Sequence, residues 1–196
     1  MKNTDIILAG VGGQGILSIA AIIGEAALDE GLHIKQAEVH GMSQRGGDVQ
    51  SHLRISPQPI HSDLITRGKA DAIIALEPME ALRYLPYLSQ GGWIVVNSAI
   101  FENIPNYPKY ENLEKSLLDI PNVILLDVDA IAKAENAVRA ANMILLGAGS
   151  AILPIEPSHL EKAIEKVFGR KGGEVVEMNL RAFRAGRAAG EKQMKP

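Results

Sequence analysis

The strongest constraint on this chain lies at its start. Residues 5–9, Asp-Ile-Ile-Leu-Ala, run straight into Gly10-Val11-Gly12-Gly13-Gln14-Gly15 and then into a proline-free, apolar-rich stretch over 16–28. An apolar run, a glycine-dense turn and a periodic segment spell strand, tight turn, helix. Glycine permits the turn and close backbone approach, and the first amides of the helix lack intrahelical partners. The end of that strand therefore suits a phosphate or a carboxylate. Three readings stay open. Gly10, Gly12, Gly13, Gln14 and Gly15 form a cofactor or anion site; or they bind a dinucleotide, with Glu38 as a ribose acid placed late for that role; or they serve packing alone.

The pattern then repeats. Glu30-Gly31 stops the helix, and 34–39 reads as a second strand. A polar loop follows, His40-Gly41-Met42-Ser43-Gln44-Arg45-Gly46-Gly47-Asp48, and on an α/β scaffold such loops carry function. Alternation over 49–55 predicts a half-buried strand, ended by Pro57 and Pro59. Residues 71–76 read as a central parallel strand, and Glu77-Pro78 opens a helix with Ala81, Leu82, Leu85 and Leu88 on one stripe. Gly91-Gly92 ends that unit, 93–96 is the next strand, and 101–118 is a surface excursion with a short helix near 113–118.

Beyond it, 123–126 is a buried strand, and Asp129 is either the N-cap of a helix from about 130 or a metal ligand. A helical segment spans 139–146. Ser158-His159-Leu160-Glu161 reads as a capping box, and a last helix runs over 174–191 with Val176, Leu180 and Phe183 inward. The fold class is therefore α/β: a three-layer α/β/α, Rossmann-like domain over 1–196 with a largely parallel sheet. Ligands on such sheets collect at the carboxyl ends of the strands. That edge gathers the glycine loop, the loop around Arg45, and Asn97-Ser98.

Composition removes several classes of function. A net charge of -3 with 4% aromatic residues offers no basic, stacking surface for nucleic acid. With no cysteine, the chain cannot itself supply thiolate nucleophiles or cluster ligands, so any redox chemistry sends its electrons elsewhere. The longest nearly apolar run, 143–155, is too short for a bilayer, and a cytoplasmic protein is expected. No lysine follows Gly15 as in a Walker loop, and Gly147-Ala148-Gly149-Ser150 misses the nucleophile-elbow spacing by one position. The five histidines lack ligand spacing; His40 and His52 flank the loop as structural residues or as site lining. Arg181, Arg184 and Arg187 form a basic stripe, either solvated or facing an acidic partner. No residue is assigned a catalytic or metal-binding role.

Gly10-Val11-Gly12-Gly13-Gln14-Gly15, then Arg45-Gly46-Gly47 and Ser51-His52-Leu53-Arg54-Ile55-Ser56, together resemble the gamma-type subunit or domain of the 2-oxoacid:acceptor oxidoreductases. The stretch around Asn142-Met143 and Gly147, and Asn179-Leu180 through Gly186, are similar to that family too. A free-standing chain of this length looks most like the small (beta) subunits of its indolepyruvate:ferredoxin branch. The resemblance implies CoA-dependent oxidative decarboxylation of aryl pyruvates. Thiamine diphosphate, magnesium and iron-sulfur clusters would sit on a larger partner subunit, with ferredoxin as acceptor and CoA as co-substrate. In that setting Arg45 and Arg54, with Gly46 and Gly47, hold a substrate carboxylate or a CoA phosphate through forked hydrogen bonds, or brace an interface. For Arg54, within a strand, bracing is favoured. The rival from another class is a non-catalytic module for NAD or an adenine nucleotide; a self-sufficient dehydrogenase would lack an acid-base pair.

Overall fold

The computed structural model describes residues 3–41 and 46–194. Six strands, β1 (Thr4–Val11), β2 (His33–His40), β3 (Asp48–Ser56), β4 (Ala70–Ala75), β5 (Leu88–Asn97) and β6 (Val123–Leu126), form one sheet in the order β2-β3-β1-β4-β5-β6. Between them run α1 (Ile16–Asp29), α2 (Pro78–Arg83), α3 (Tyr110–Leu118), α4 (Val128–Ala134), α5 (Ala141–Gly149), α6 (Pro157–Phe168) and α7 (Gly173–Met194).

Alternation along each central strand assigns the two faces. Ile6 and Leu8 of β1, Ile74 of β4 and Val95 of β5 pack with α1 and α4 to α7. Ile7 and Ala9, Ile73, Ile94 and Val96 pack with α2, α3 and Ile65 on the other face. Each buried Ile or Val stabilises the fold by about 1.5–3 kcal/mol relative to exposure. With helices on both faces the domain is three-layered, as its sequence pattern predicts.

The sheet carries one reversed strand. β1, β4, β5 and β6 are parallel, whereas β3 lies antiparallel to both β1 and β2. The crossover through α1 sets β2 one strand too far out, and β3 returns into the gap. This topology brings the β2-β3 loop to the sheet end where β1 stops. Nor is β3 half-buried: His52 is buried, accepts the Ile65 amide at Nδ1 (2.9 Å) and sits edge-on to Tyr87. Segment 57–69 covers that face.

Three local expectations are corrected. α2 ends at Arg83, a 3-10 turn occupies Leu85–Tyr87 around Pro86, and Leu88 already opens β5, so Gly91-Gly92 lies inside a strand. The N-cap of α4 is Asp127, whose Oδ1 accepts the Ala130 amide at 2.9 Å; Asp129 lies in the first turn. The Ser158 capping box is unused, because Pro157 sets the start of α6 two residues earlier, with Glu156 at the N-cap.

α5 and α7 are locked by glycine. A Cβ on Gly147 would overlap the Phe183 carbonyl, and one on Gly186 the Ile144 carbonyl. The backbones meet there without side chains between them.

Candidate functional site

At the end of β1 the glycine motif folds back on itself. The Gln14 side chain turns inward, and its Oε1 accepts the Val11 amide at 2.7 Å. A Cβ on Gly10 would sit 2.8 Å from that oxygen, so Gly10 makes room for the turn. Gly13 and Gly15 have φ of 100° and 92°, a region other residues enter at a cost. Gly15 caps α1 without a side chain, and its carbonyl accepts the Asn142 side-chain amide of α5 at 3.2 Å. Around Gly13, by contrast, an added Cβ would meet nothing within 4 Å. Gly10 and Gly15 have internal packing reasons; Gly13 faces open space.

Two clefts flank this turn. One, of about 600 Å³, runs from Gly12 and Gly13 past the exposed Leu17 to His40, Gly41 and Val49. The other, of about 340 Å³, lies between the glycine turn and α7, and Ser18, Arg139, Asn142, Lys171 and Asn179 line it. Two cations, the N-terminus of α1 and several amide groups make this second cleft favourable to an anion.

The β2-β3 loop closes against the turn. Asp48 pairs with Val11, and the Gly12 amide donates to the Gly47 carbonyl at 2.8 Å. Gly46 has φ 78°, and its carbonyl accepts the Asn103 side-chain amide at 2.9 Å. Asn103 lies in the 98–109 strap between β5 and α3; the excursion expected over 101–118 is divided between this strap and α3. Glu77 pins that strap: its Oε1 accepts the Tyr107 hydroxyl and the Phe101 amide (3.4 Å), while Oε2 caps α2 through the Glu80 amide at 2.9 Å.

Tyr84, at the end of α2, holds the start of β3 from the other side, its hydroxyl donating to both oxygens of Asp48 at 3.0 and 2.8 Å. On the same helix Glu80, a second buried acid with no exposed surface, takes a fork from Arg83 at 2.8 and 3.2 Å. Burial pushes the Glu77 carboxyl above its ordinary range. It pushes Glu80 up to about 7, with Arg83 opposing and Asp48 adding to the shift. The Tyr84 hydroxyl is raised too, by burial and then by Asp48.

Of the site residues expected from sequence, the glycine turn and Gly46-Gly47 come together. Arg45 lies outside the described residues. Arg54 lies at the opposite end of the sheet, where β1 begins. Its Nε and Nη2 fork onto Asp5 at 2.9 and 3.1 Å, and Nη1 donates to the carbonyls of Ser62 and Leu64. Glu38 lies on the outermost strand and is engaged by Gln36 and His40, not by the glycine turn. Asn97 spends its Oδ1 on the Ala99 and Val128 amides. In the arginine stripe of α7, Arg184 forks onto Glu161 and Arg187 pairs with Glu191, while Arg181 is exposed. Sequence reasoning missed Arg139 and Lys171, isolated cations far apart in the chain, and the Asp48-Tyr84 contact.

This architecture defines a glycine-turn α/β domain of mixed sheet. The chain belongs to the pyruvate ferredoxin/flavodoxin oxidoreductase family, whose profile matches residues 5–189. It is 36% identical to the indolepyruvate oxidoreductase subunit IorB of Archaeoglobus fulgidus, over 93% of this chain and 92% of that one. Identity to the same subunit of Methanothermobacter thermautotrophicus is 34%, over 94% and 96%. In structure it is similar to pyruvate oxidoreductase subunit PORC of Thermotoga maritima (TM-score 0.71, 24% identity, 96% and 97% covered). It is also similar to part of the 2-oxoglutarate:ferredoxin oxidoreductase of Magnetococcus marinus (TM-score 0.78, 24% identity); there it spans all of this chain but 32% of the longer one. Among the described residues, no helix is long and apolar enough to cross a membrane.

Proposed function

We propose that this chain is the small subunit of a 2-oxoacid:ferredoxin oxidoreductase acting on indolepyruvate and related aryl pyruvates. The observation that carries this reading is whole-length similarity to indolepyruvate oxidoreductase subunits. The rival, a free-standing nucleotide-binding module, falls away: the relatives are oxidoreductase subunits, and Glu38 is committed to neighbours on its own strand. The enzyme is an assembly, and a chain with no cysteine leaves the iron-sulfur clusters to a larger partner.

Thiamine diphosphate with magnesium, held by that partner, supplies the electron sink for decarboxylation. The work left to this chain is to bind anions, orient them and exclude water. The cleft beside Gly13 fits the phosphates of CoA in its chemistry: Arg139 and Lys171 bring two cations, and Ser18, Asn142 and Asn179 bring hydrogen-bonding groups. Arg45, in the sequence between β2 and β3, is assigned to a substrate carboxylate, a CoA phosphate or the partner. Ferredoxin takes the electrons, and the complex works in the cytoplasm.

Co-expression with the thiamine-containing large subunit of the same genome tests the reading. A stable brown complex that reduces a dye with indolepyruvate and CoA supports it, as does inactivity of the isolated chain. A chain that stays alone and is stabilised by NAD or ATP restores the rival.

A further inference from the structure

We propose that Asn103 is a positioning residue of the reaction site, through which the 98–109 strap holds Gly46-Gly47 against the glycine turn. What the site does rests on the oxidoreductase reading above; how the strap holds it rests on geometry alone.

The strap is fastened by polar bonds rather than by burial. At its start the Asn97 Oδ1 accepts the Ala99 amide at 3.2 Å, and further on the buried Glu77 carboxylate takes the Phe101 amide and the Tyr107 hydroxyl. Ile100, Phe101 and Ile104 stay between 38% and 45% exposed, so the strap forgoes the apolar stabilisation that a packed connection would gain. Its fastening serves something other than the core.

Between the Phe101 and Tyr107 fasteners, Asn103 reaches the end of the β2-β3 connection. Its Nδ2 donates to the Gly46 carbonyl at 2.9 Å, and a Gly46 Cβ would stand 3.9 Å from the Phe101 ring. The Asn103 Oδ1 is buried and accepts no hydrogen bond among the described residues. An unpaired buried acceptor opposes folding, so the net gain in stability from this side chain is small.

The next carbonyl along, that of Gly47, accepts the Gly12 amide at 2.8 Å. Two successive carbonyls are thus held by two different elements, the first by the strap and the second by the glycine turn. Gly46, at φ 78°, has a backbone too free to keep this place unaided. Gly12 in turn lines the 600 Å³ cleft, so loss of the Asn103 bond shifts the wall of that cleft while the core stays intact.

Asn103→Leu, which keeps the shape and removes the donor, is read in two ways. In the full-length chain, exchange of the Gly12 amide is expected to rise about fivefold while that of core amides such as Leu8 and Ile74 holds. In the complex co-expressed with the thiamine-containing subunit, kcat with indolepyruvate and CoA is expected to fall about tenfold or more with little change in either KM. Asn103→Gln, which keeps a donor, should recover part of both losses. Unchanged Gly12 exchange, or an active complex whose kcat is indifferent to Asn103→Leu, overturns the proposal. A wild-type complex inactive on indolepyruvate counts against the functional reading alone, and the exchange measurement then decides the role of the strap. If the leucine disturbs the core amides, Asn103→Ala replaces it.

Discussion

Asn142 on α5 donates its side-chain amide to the carbonyl of Gly15, 127 positions away in the chain. That bond fixes the first turn of α1 to the helix behind it. Asn142→Ala is expected to lower stability by about 1 kcal/mol, the net worth of one such hydrogen bond. In the assembled enzyme it should raise the KM for CoA with little change in kcat, since it removes ground-state positioning. Urea unfolding and steady-state kinetics read the two effects separately.

Gly13 and Gly15 differ in what surrounds them although both have positive φ. Gly13→Ala meets backbone strain alone, about 1 kcal/mol. Gly15→Ala adds a Cβ 2.6 Å from the Asn142 side-chain nitrogen and is expected to cost about 3 kcal/mol. Combining Gly15→Ala with Asn142→Ala should recover part of that loss, and a double-mutant cycle measures how much.

An exposed helical glycine changed to alanine normally gains stability. At Gly186 the sign reverses, because the new methyl would overlap the Ile144 carbonyl across the α5-α7 contact. Gly186→Ala is expected to lose more than about 3 kcal/mol, or at least roughly 6 °C in Tm. Calorimetry of the isolated chain gives the answer.

The two arginines named from sequence separate by readout. Arg54 braces Asp5 and the 57–69 segment, so Arg54→Ala should cost about 1–2 kcal/mol and leave the activity of correctly folded complex near normal. Arg54→Lys should restore less than half of that, since an ammonium cannot form the fork. Arg45→Ala should do the reverse, removing most turnover while the melting temperature holds.

Glu77 and Glu80 link stability to pH. Both are raised above the ordinary 4.5 by burial, so the fold retains protons the unfolded chain has released. Their contribution is complete below that value and falls as pH rises, that of Glu80 being lost as pH climbs through about 7. The unfolding free energy should therefore fall by about 2 kcal/mol between about pH 5 and 8, and Glu80→Gln should flatten the curve. Glu161, held low by Arg184, titrates on the acid side of this window.

The layers of the fold were legible because the periodicities are local: 5–9 and 71–76 announce buried strands without reference to anything distant. The reversal of β3 was not, since an antiparallel strand and a parallel one present the same alternation when both faces end up covered. The glycine turn was legible for the same local reason, and so was its meeting with Gly46-Gly47. Invisible were the pairings that only topology creates: Arg54 with Asp5, Arg139 and Lys171 in one cleft, Asp48 with Tyr84. Glu77-Pro78 announced a helix start, but nothing in Glu77 or Glu80 announced complete burial.

The site is held by contacts between residues far apart in sequence: Gly46 with Asn103 over 57 positions, Asp48 with Tyr84 over 36, Gly15 with Asn142 over 127. Loop closure over such spans comes after local structure has formed. A chain leaving the ribosome makes its glycine turn long before it has α5 to seat it, since Asn142 follows Gly15 by 127 positions. The seated turn thus arrives late in biogenesis, and a chain truncated ahead of α5 would present it unfinished.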